Sequence, residues 1–322
     1  MSEKKILATG PLDDYAVGVL SDCGEFVTAP DNEESTLLEW IDGAVALAVR
    51  GIPPISAAVI NKSPDLKVIG RTGAGFSNVD IEAATAKGIP VVYTPGAGAR
   101  AVAEAAMAFM LALCKLVLHW DRETKAGNWS SRFESQGSDL EGATLGIIGL
   151  GRIGRILAQM AQPFQMKIVA YDPFLTPEQG AEAGAELIEL DDLLKCSDFI
   201  SIHCAQTQEN TGLINRERIN LVKQGAYLIN LSRGGLVESL DVLHEALQDG
   251  RLAGVGLDVF EPEPPDVSHP IFKLDNCLTS PHAMGTTKGA MTRIFKTMAD
   301  DIAAVLRGER PQFVVNPEVF KG

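Results

Sequence analysis

The sequence predicts an α/β protein made of two doubly wound parallel-sheet domains. Two observations carry that expectation. Short β-branched runs alternate with segments of helical period, and the runs are apolar throughout, which marks strands covered on both faces. The runs also fall into two series, and 322 residues are enough for two separate cores.

The first series is "KILAT", "AVALAV", "KVIG" and "VVYT", all within the first hundred residues. The Pro/Gly-rich turn in "TPGAGARAVAEAA" (94–106) ends it and hands the chain to a helix. The stretch "AVAEAAMAFMLALCKLVLHW" (101–120) is the most apolar, but Glu104 and Lys115 interrupt it. It reads as a buried helix crossing between domains and not as a membrane span. The second series follows: "TLGIIG", "KIVAY", "FISIH", "AYLIN", "GVGLDVF" and "CLTS". Last, "TTKGAMTRIFKTMADDIAAVLRGE" reads as one long helix with Ile294, Met298, Ile302 and Leu306 on a single face. That helix is expected to carry the chain back to the first domain, leaving a cleft between the two. The expected division is 1–99 with 285–322 for one domain and 100–284 for the other.

Composition narrows the partners. A hydrophobic content of 46% and a charged content of 22% are ordinary for a globular chain. The balance of 28 basic against 42 acidic residues, a net −14, is not. A broadly anionic surface repels phosphate, so neither nucleic acid nor an anionic membrane is expected as a partner. An anionic substrate would have to be captured by local arginines. Five scattered cysteines with no CxxC and no metal-type cluster fit a reducing cytoplasm and no metal site. The start, "MSEKKILATGPLDD", lacks an apolar core of signal-peptide length.

The strongest motif is "TLGIIGLGRIGRILAQMAQPFQMKIVAYDPF" (144–174). Gly149-x-Gly151-x-x-Gly154 follows an apolar strand and opens a helix in which Ile153, Ile156, Leu157 and Met160 recur at helical spacing. Glycines there let the backbone turn tightly and approach a pyrophosphate, which sits on the positive helix terminus. The next strand ends in Asp172, placed to accept from a ribose hydroxyl and to repel a 2′-phosphate. This order of strand, helix, strand and acid predicts a Rossmann-type domain that binds NAD in preference to NADP.

Other polar residues gather at the same edge, because ligands of parallel α/β sheets collect beyond the carboxyl ends of the strands. Arg233 follows "AYLIN", Asp258 and the acids of "EPEP" follow "GVGLDVF", and His282 follows "CLTS". An arginine fork binds a carboxylate and polarises a neighbouring carbonyl. A histidine donates a proton as hydride reaches that carbonyl carbon. A carboxylate beside the histidine favours the imidazolium and fixes its tautomer. From spacing alone, Glu261 and Glu263 both remain open as that carboxylate.

With these motifs in place, the chain resembles the D-isomer-specific 2-hydroxyacid dehydrogenases, particularly their phosphoglycerate dehydrogenase-like branch. The blocks are "VIGRTGAGFSNVDIEAATAKGIPVVYTPG", "LGIIGLGRIGR…YDP", "INLSRGGLVE", "AGVGLDVFEPEPP" and "SPHAMGTT", spread from about residue 45 to 290. The resemblance implies a Rossmann-type NAD-binding domain inserted in a flavodoxin-like substrate domain. It implies that Arg233 binds the substrate carboxylate, that His282 is the acid/base, and that Glu263 is its partner. It also implies cofactor contacts at Gly149, Gly151, Arg152, Ile153, Gly154, Asp172, Cys204, Leu231, Ser232, Arg233, Asp258, His282 and Gly285. Backbone N–H groups of Gly73, Ala74 and Gly75 would meet the carboxylate. Arg50 and Arg71 fall where relatives place basic residues near the distal end of the substrate, although Arg71 could equally serve to hold its own loop.

The implied reaction interconverts a 2-hydroxy acid and its 2-keto acid, phosphoglycerate-like or hydroxypyruvate/glyoxylate-like. The chain departs from the family pattern at Ser77-Asn78 in the substrate block, at Gly98 after "PG", at Ala205 after the "IHC" strand, and at Ala283-Met284 after the histidine. No counterpart of the regulatory domain appended to some phosphoglycerate dehydrogenases is expected. A homodimer is implied through the apolar helix and "HWDRETKAGNWSSRF", with Trp120, Trp129 and Phe133. The alternative reading is an NAD(H)-sensing interaction protein on the same scaffold, as in corepressor relatives. The intact Arg233–Glu263–His282 set favours the enzyme.

Overall fold

The computed structural model describes residues 4–51 and 53–320. The chain forms two compact units, one running up to Gly98 and resuming at Thr286, the other spanning Ala99–Gly285. The outermost residues of the expected first domain, 1–3 and 321–322, lie outside the described residues.

In the first unit the strands are β1 (Lys5–Ala8), β2 (Glu25–Thr28), β3 (Ala44–Val49), β4 (Val68–Arg71) and β5 (Val91–Val92). They are linked by helices α1 (Asp14–Ser21), α2 (Glu34–Trp40), α3 (Ala57–Lys62) and α4 (Ile81–Ala86). Aspartate or serine side chains start three of these helices: Asp13 accepts from Ala16 N, Ser56 from Val59 N and Asp80 from Ala83 N. All pairings are parallel, in the order β2-β1-β3-β4-β5, which is the flavodoxin-like arrangement. The run "AVALAV" is buried over its whole length because it is covered on both sides. Leu47 and Val49 join the cluster of Leu37 and Ile60, and Ala46 and Ala48 join that of Phe295 and Met298.

The second unit opens with α5 (Ala99–Cys114) and α6 (Val117–Lys125). It continues as β6 (Thr144–Ile148), α7 (Arg152–Ala161), β7 (Lys167–Tyr171), α8 (Pro177–Glu182), β8 (Glu186–Leu187), α9 (Leu190–Cys196) and β9 (Phe199–Ile202). It ends with α10 (Arg216–Leu221), β10 (Ala226–Asn230), α11 (Leu240–Gln248), β11 (Leu252–Leu257) and β12 (Cys277–Thr279). The seven-stranded sheet is parallel throughout, in the order β12-β11-β10-β9-β6-β7-β8. The winding reverses between β6 and β9, and such a switch point opens a crevice at the carboxyl ends of the strands.

The sequence reading falls short in two places. Strands β2 and β8 were not among the expected runs; both are edge strands with half-exposed residues, so neither shows a continuous apolar signal. The expected single helix over 101–120 is broken at Leu116, whose φ of 53° is left-handed, and α5 and α6 meet at 55°. Eight residues of α5, among them Met107, Phe109, Met110 and Leu113, are buried in the core of the second unit. No single described helix is long and apolar enough to cross a membrane; the bent pair α5–α6 meets that test only jointly, by length and composition.

The chain returns to the first unit as α12 (Lys288–Leu306), whose Ile294, Met298 and Ile302 pack with Ile6, Ala8 and Val68. Two buried polar side chains then fasten the tail. Asp301 accepts from Gln312 N at 2.7 Å and Phe313 N at 3.2 Å, and burial raises its carboxyl above the ordinary value. Asn316, 1% exposed, accepts from Val91 N at 2.8 Å and donates to Ile89 O at 2.9 Å. An antiparallel bridge between Val92 and Val314 completes the cover over the edge strand β5. Replacing Asn316 by alanine leaves the buried Val91 N–H without an acceptor. We expect Asn316→Ala to lower stability by about 1–3 kcal/mol, read as a lower urea midpoint with an unchanged slope.

Candidate active site

The turn after β6 is built so that a ligand backbone can come close. Gly149 has φ +93°, and a β-carbon there would stand 2.5 Å from Cys204 N and 2.7 Å from Cys204 Cα. Conformation and space both demand glycine. Gly151 precedes the first turn of α7, where Arg152 and Ile153 stand, and Gly154 is buried one turn further on. The amphipathic α7 packs through Leu157 and Ala158, so its amino end points from a fixed base.

Asp172, at the end of β7, does more locally than the sequence suggested. Its Oδ2 accepts from Leu150 N at 3.0 Å and its Oδ1 from Phe174 N at 3.1 Å. The acid therefore holds the glycine-rich turn against the second strand. On the other side of the switch point, His203 N donates to Ile148 O at 2.8 Å and Ser232 Oγ donates to Cys204 O. Leu231 is buried beneath this edge. Burial pushes the Cys204 thiol up to about 11 and the His203 imidazole down to about 4, so both stay neutral near pH 7. The glycine cradle, the helix terminus and the strand-end acid fit a dinucleotide.

Three further turns lie at the carboxyl ends of β10, β11 and β12. Asn230, almost fully buried, donates to Arg233 O at 2.8 Å and accepts from Ser232 N at 3.0 Å, which shapes the turn carrying Arg233. The Arg233 side chain is exposed and donates to Ser232 O at 2.7 Å. At Gly234 a β-carbon would fall inside the Phe260–Glu261 backbone, so this turn presses directly on the loop that carries Glu263. Glu263 Oε1 accepts from Phe260 N at 3.0 Å, and its Oε2 lies 2.9 Å from His282 Nδ1. Glu263, and not Glu261, is the acid that reaches the imidazole.

His282 itself has φ 53°, left-handed, and its side chain is about half exposed (49%). Asp258, expected among the cofactor contacts, is 4% exposed, with Oδ1 committed to the histidine turn. It accepts from Ser280 Oγ, from Ala283 N at 2.9 Å and from Met284 N at 3.2 Å. Gly285 follows and packs beside Val102 of α5.

The residues expected to meet substrate from the first unit are more engaged than the sequence implied. Arg50 donates to Pro11 O and lies over the Phe295 ring, 5.5 Å from its centroid. Arg71 donates through Nε to Asn78 Oδ1 at 3.4 Å and lies so close to Gly73 that a β-carbon there would fall 2.7 Å from Nη1. One expectation is corrected here: Gly73 N–H is not on offer to a ligand, because it donates to Thr94 Oγ1 at 2.7 Å. The loop's amides for an anion reduce to those of Ala74 and Gly75.

Sequence reasoning missed Asn230, Ser280 and the bracing role of Asp258. One faint signal was present: Asn230 and Ser280 are polar residues closing otherwise apolar runs, directly before the turns of Arg233 and His282. The partners of these side chains are far apart in the chain, so no local pattern names them.

Known proteins with this arrangement can be set beside it. Residues 107–284 match the family model described as the D-isomer specific 2-hydroxyacid dehydrogenase, NAD binding domain. The chain is 41% identical over 313 residues to a D-3-phosphoglycerate dehydrogenase of Methanocaldococcus jannaschii, covering 97% of this chain and 59% of that protein. It thus spans about six tenths of the curated phosphoglycerate dehydrogenases it matches. It is 37% identical to a glyoxylate reductase of Thermofilum pendens, covering 100% of this chain and 97% of the other. A solved D-lactate dehydrogenase of Aquifex aeolicus, complexed with NAD and lactic acid, superimposes with a TM-score of 0.84 at 30% identity, covering 99% of this chain and 98% of that one.

The thiols give a direct check on the packing of this edge. Burial pushes Cys277 up to about 12 and raises Cys114, as it does Cys204, whereas Cys196 is exposed. A thiol with a pKa near 11 is ionised to only about one part in a thousand at pH 8. We expect a disulfide reagent at pH 8 to label Cys196 rapidly in the native protein. Cys114, Cys204 and Cys277 should react only slowly until denaturant is added.

Proposed function

Because the chain belongs to the D-isomer-specific 2-hydroxyacid dehydrogenase family and carries that family's NAD-binding domain, we propose that it interconverts a 2-hydroxy acid and its 2-keto acid. Its cofactor is NAD. When bound, the nicotinamide supplies or accepts the hydride at the substrate's second carbon. Gly149, Gly151 and Gly154 give the backbone room for the pyrophosphate, with Arg152 and Ile153 opening the helix beneath it. The carboxylate of Asp172 would accept from the ribose hydroxyls, and Cys204, Leu231, Ser232 and Gly285 would border the remainder of the cofactor.

The protein's share of the chemistry is orientation and proton movement. The guanidinium of Arg233 forks onto the substrate carboxylate and lies beside the carbonyl to be reduced. His282 is the general acid in reduction and the general base in oxidation. The observation that carries this assignment is the 2.9 Å contact between His282 Nδ1 and Glu263 Oε2. With Nδ1 held by the carboxylate, Nε2 is the nitrogen left to exchange a proton with the substrate oxygen. The first unit contributes the amides of Ala74 and Gly75, with Arg50 and Arg71 as candidates for a distal anionic group. The relatives named as D-3-phosphoglycerate dehydrogenase and glyoxylate reductase support two substrate classes, phosphoglycerate-like and glyoxylate-like.

The partner we favour is a second copy of this chain. Val117, Leu118, Trp129 and Phe133 are exposed, and Arg132 lies over both the Trp129 and the Phe133 rings, a composition suited to an interface. All five cysteines are free, which supports a place in the reducing cytoplasm.

NADH oxidation followed at 340 nm over a panel of keto acids, phosphorylated and not, tests the reading; absence of turnover on the whole panel contradicts it. Within an active protein, Glu263→Gln should lower kcat/KM about 10- to 100-fold. NADH affinity should hold within about twofold, since the loss falls on proton transfer and not on cofactor binding. An unaltered kcat/KM removes Glu263 from the acid/base pair.

A further inference from the structure

We propose that Ser280 is a positioning residue for His282, acting through the buried carboxylate of Asp258 to hold the histidine backbone in its left-handed conformation. The inference rests on the acid/base reading of His282 given above. His282 sits at φ 53°, in the left-handed region that strains the backbone of a non-glycine residue. Such a residue persists only where its neighbours over-determine it. Here the neighbours are identifiable. The hydroxyl before the histidine and the two amides after it, from Ser280, Ala283 and Met284, all converge on Asp258 Oδ1.

The base of this clamp is rigid. Asp258 N donates to Asn230 O at 3.0 Å and Ser280 N donates to Leu257 O at 2.9 Å, so both partners extend the ladder of the sheet beyond the regular strands. His282 N donates back to Ser280 O at 3.1 Å, closing the turn tightly over Pro281. Of the three donors on Asp258 Oδ1, only the serine hydroxyl belongs to a side chain, so it is the one that a substitution removes. Without it a nearly buried carboxylate loses a donor, and the turn gains freedom to relax toward negative φ. A change in φ at residue 282 swings the Cα–Cβ bond, and the imidazole then leaves its 2.9 Å contact with Glu263. Displacement of a proton donor by about 1 Å is enough for a rate loss near 100-fold.

Two arms make the test. In the kinetic arm, Ser280→Ala is expected to lower kcat about 10- to 100-fold, with KM for the keto acid and Kd for NADH held within about twofold. Ser280→Thr, which keeps the hydroxyl, should restore kcat to within about threefold of the parent. In the second arm, histidine ring 15N spectra of the ligand-free full chain are recorded, with His282→Asn assigning the signal among the five histidines. The Nδ1-protonated signature of His282 should be lost in Ser280→Ala and kept in Ser280→Thr.

Should alanine not fold at position 280, Ser280→Cys, similar in size and a weaker donor, replaces it with the same expectations reduced in degree. An unaltered ring spectrum and kcat, accompanied at most by a lower Tm, overturns the proposal. If the parent chain proves inactive on every keto acid, the dehydrogenase reading fails. The spectral arm still decides the clamp: a changed His282 signature supports it, and an unchanged one overturns it.

Discussion

In an all-parallel sheet every strand delivers its carboxyl end to the same edge, and nearly everything of interest in the second unit follows from that constraint. Strands β6, β7, β9, β10, β11 and β12 each end there, in register and in the order fixed by the crossovers. Residues more than 130 positions apart, such as Gly149 and His282, thereby share one rim. Where the winding reverses, between β6 and β9, the strand-end turns diverge and leave room for a ligand. The interior of the sheet is mostly apolar, Ser201 of β9 being an exception that is hydrogen-bonded to His203 Nε2, and the working polar side chains stand at the strand ends.

That rim is stiffened by hydrogen-bonded polar groups, of which Asn230 and Asp258 are buried. Asn230 bridges its own turn, Asp258 gathers three donors onto one oxygen, and Glu263 divides its two oxygens between Phe260 N and His282 Nδ1. A carboxylate as enclosed as Asp258 would be strongly unfavourable without those donors. With them it becomes a fixed point from which an exposed histidine is aimed. The distinction matters chemically: Arg233 and His282, the side chains proposed to touch substrate, are exposed, while Asn230 and Asp258, which brace their turns, are buried. Exposure gives access, and burial of the second set gives precision.

Charge works on two scales in this molecule. The net −14 gives the surface a field that repels anions in general. Capture of a carboxylate therefore depends on short-range, directional contacts, which a guanidinium supplies and a diffuse positive surface would not. Many arginines of the chain, Arg122, Arg216, Arg218 and Arg307 among them, are taken up in surface ion pairs, which leaves local capture to those at the strand ends and loops. In the first unit those groups are partly engaged already, Arg50 with Pro11 O and the Phe295 ring, Arg71 with Asn78.

Much of this was legible in the sequence because it is local. Apolar runs mark central strands, Gly149-x-Gly151-x-x-Gly154 marks a tight strand-to-helix turn, and Asp172 stands at a fixed distance beyond it; each is a pattern of neighbouring residues. What was not legible depends on partners distant along the chain. The edge strands β2 and β8 lack a second covered face, so their pattern is faint. The bend at Leu116 is set by packing, because a left-handed leucine has no sequence signature of its own. Spacing alone did not tell Glu263 from Glu261; the family resemblance pointed to Glu263, and it is the turn of β12 that brings His282 beside it. The amide of Gly73 looked available until Thr94, twenty-one residues later, proved to hold it. The sequence by itself determined which residue types reach the working edge. Only the tertiary structure decided which hydrogen bonds each one makes there, because those bonds close between strands whose proximity exists only after the sheet has formed.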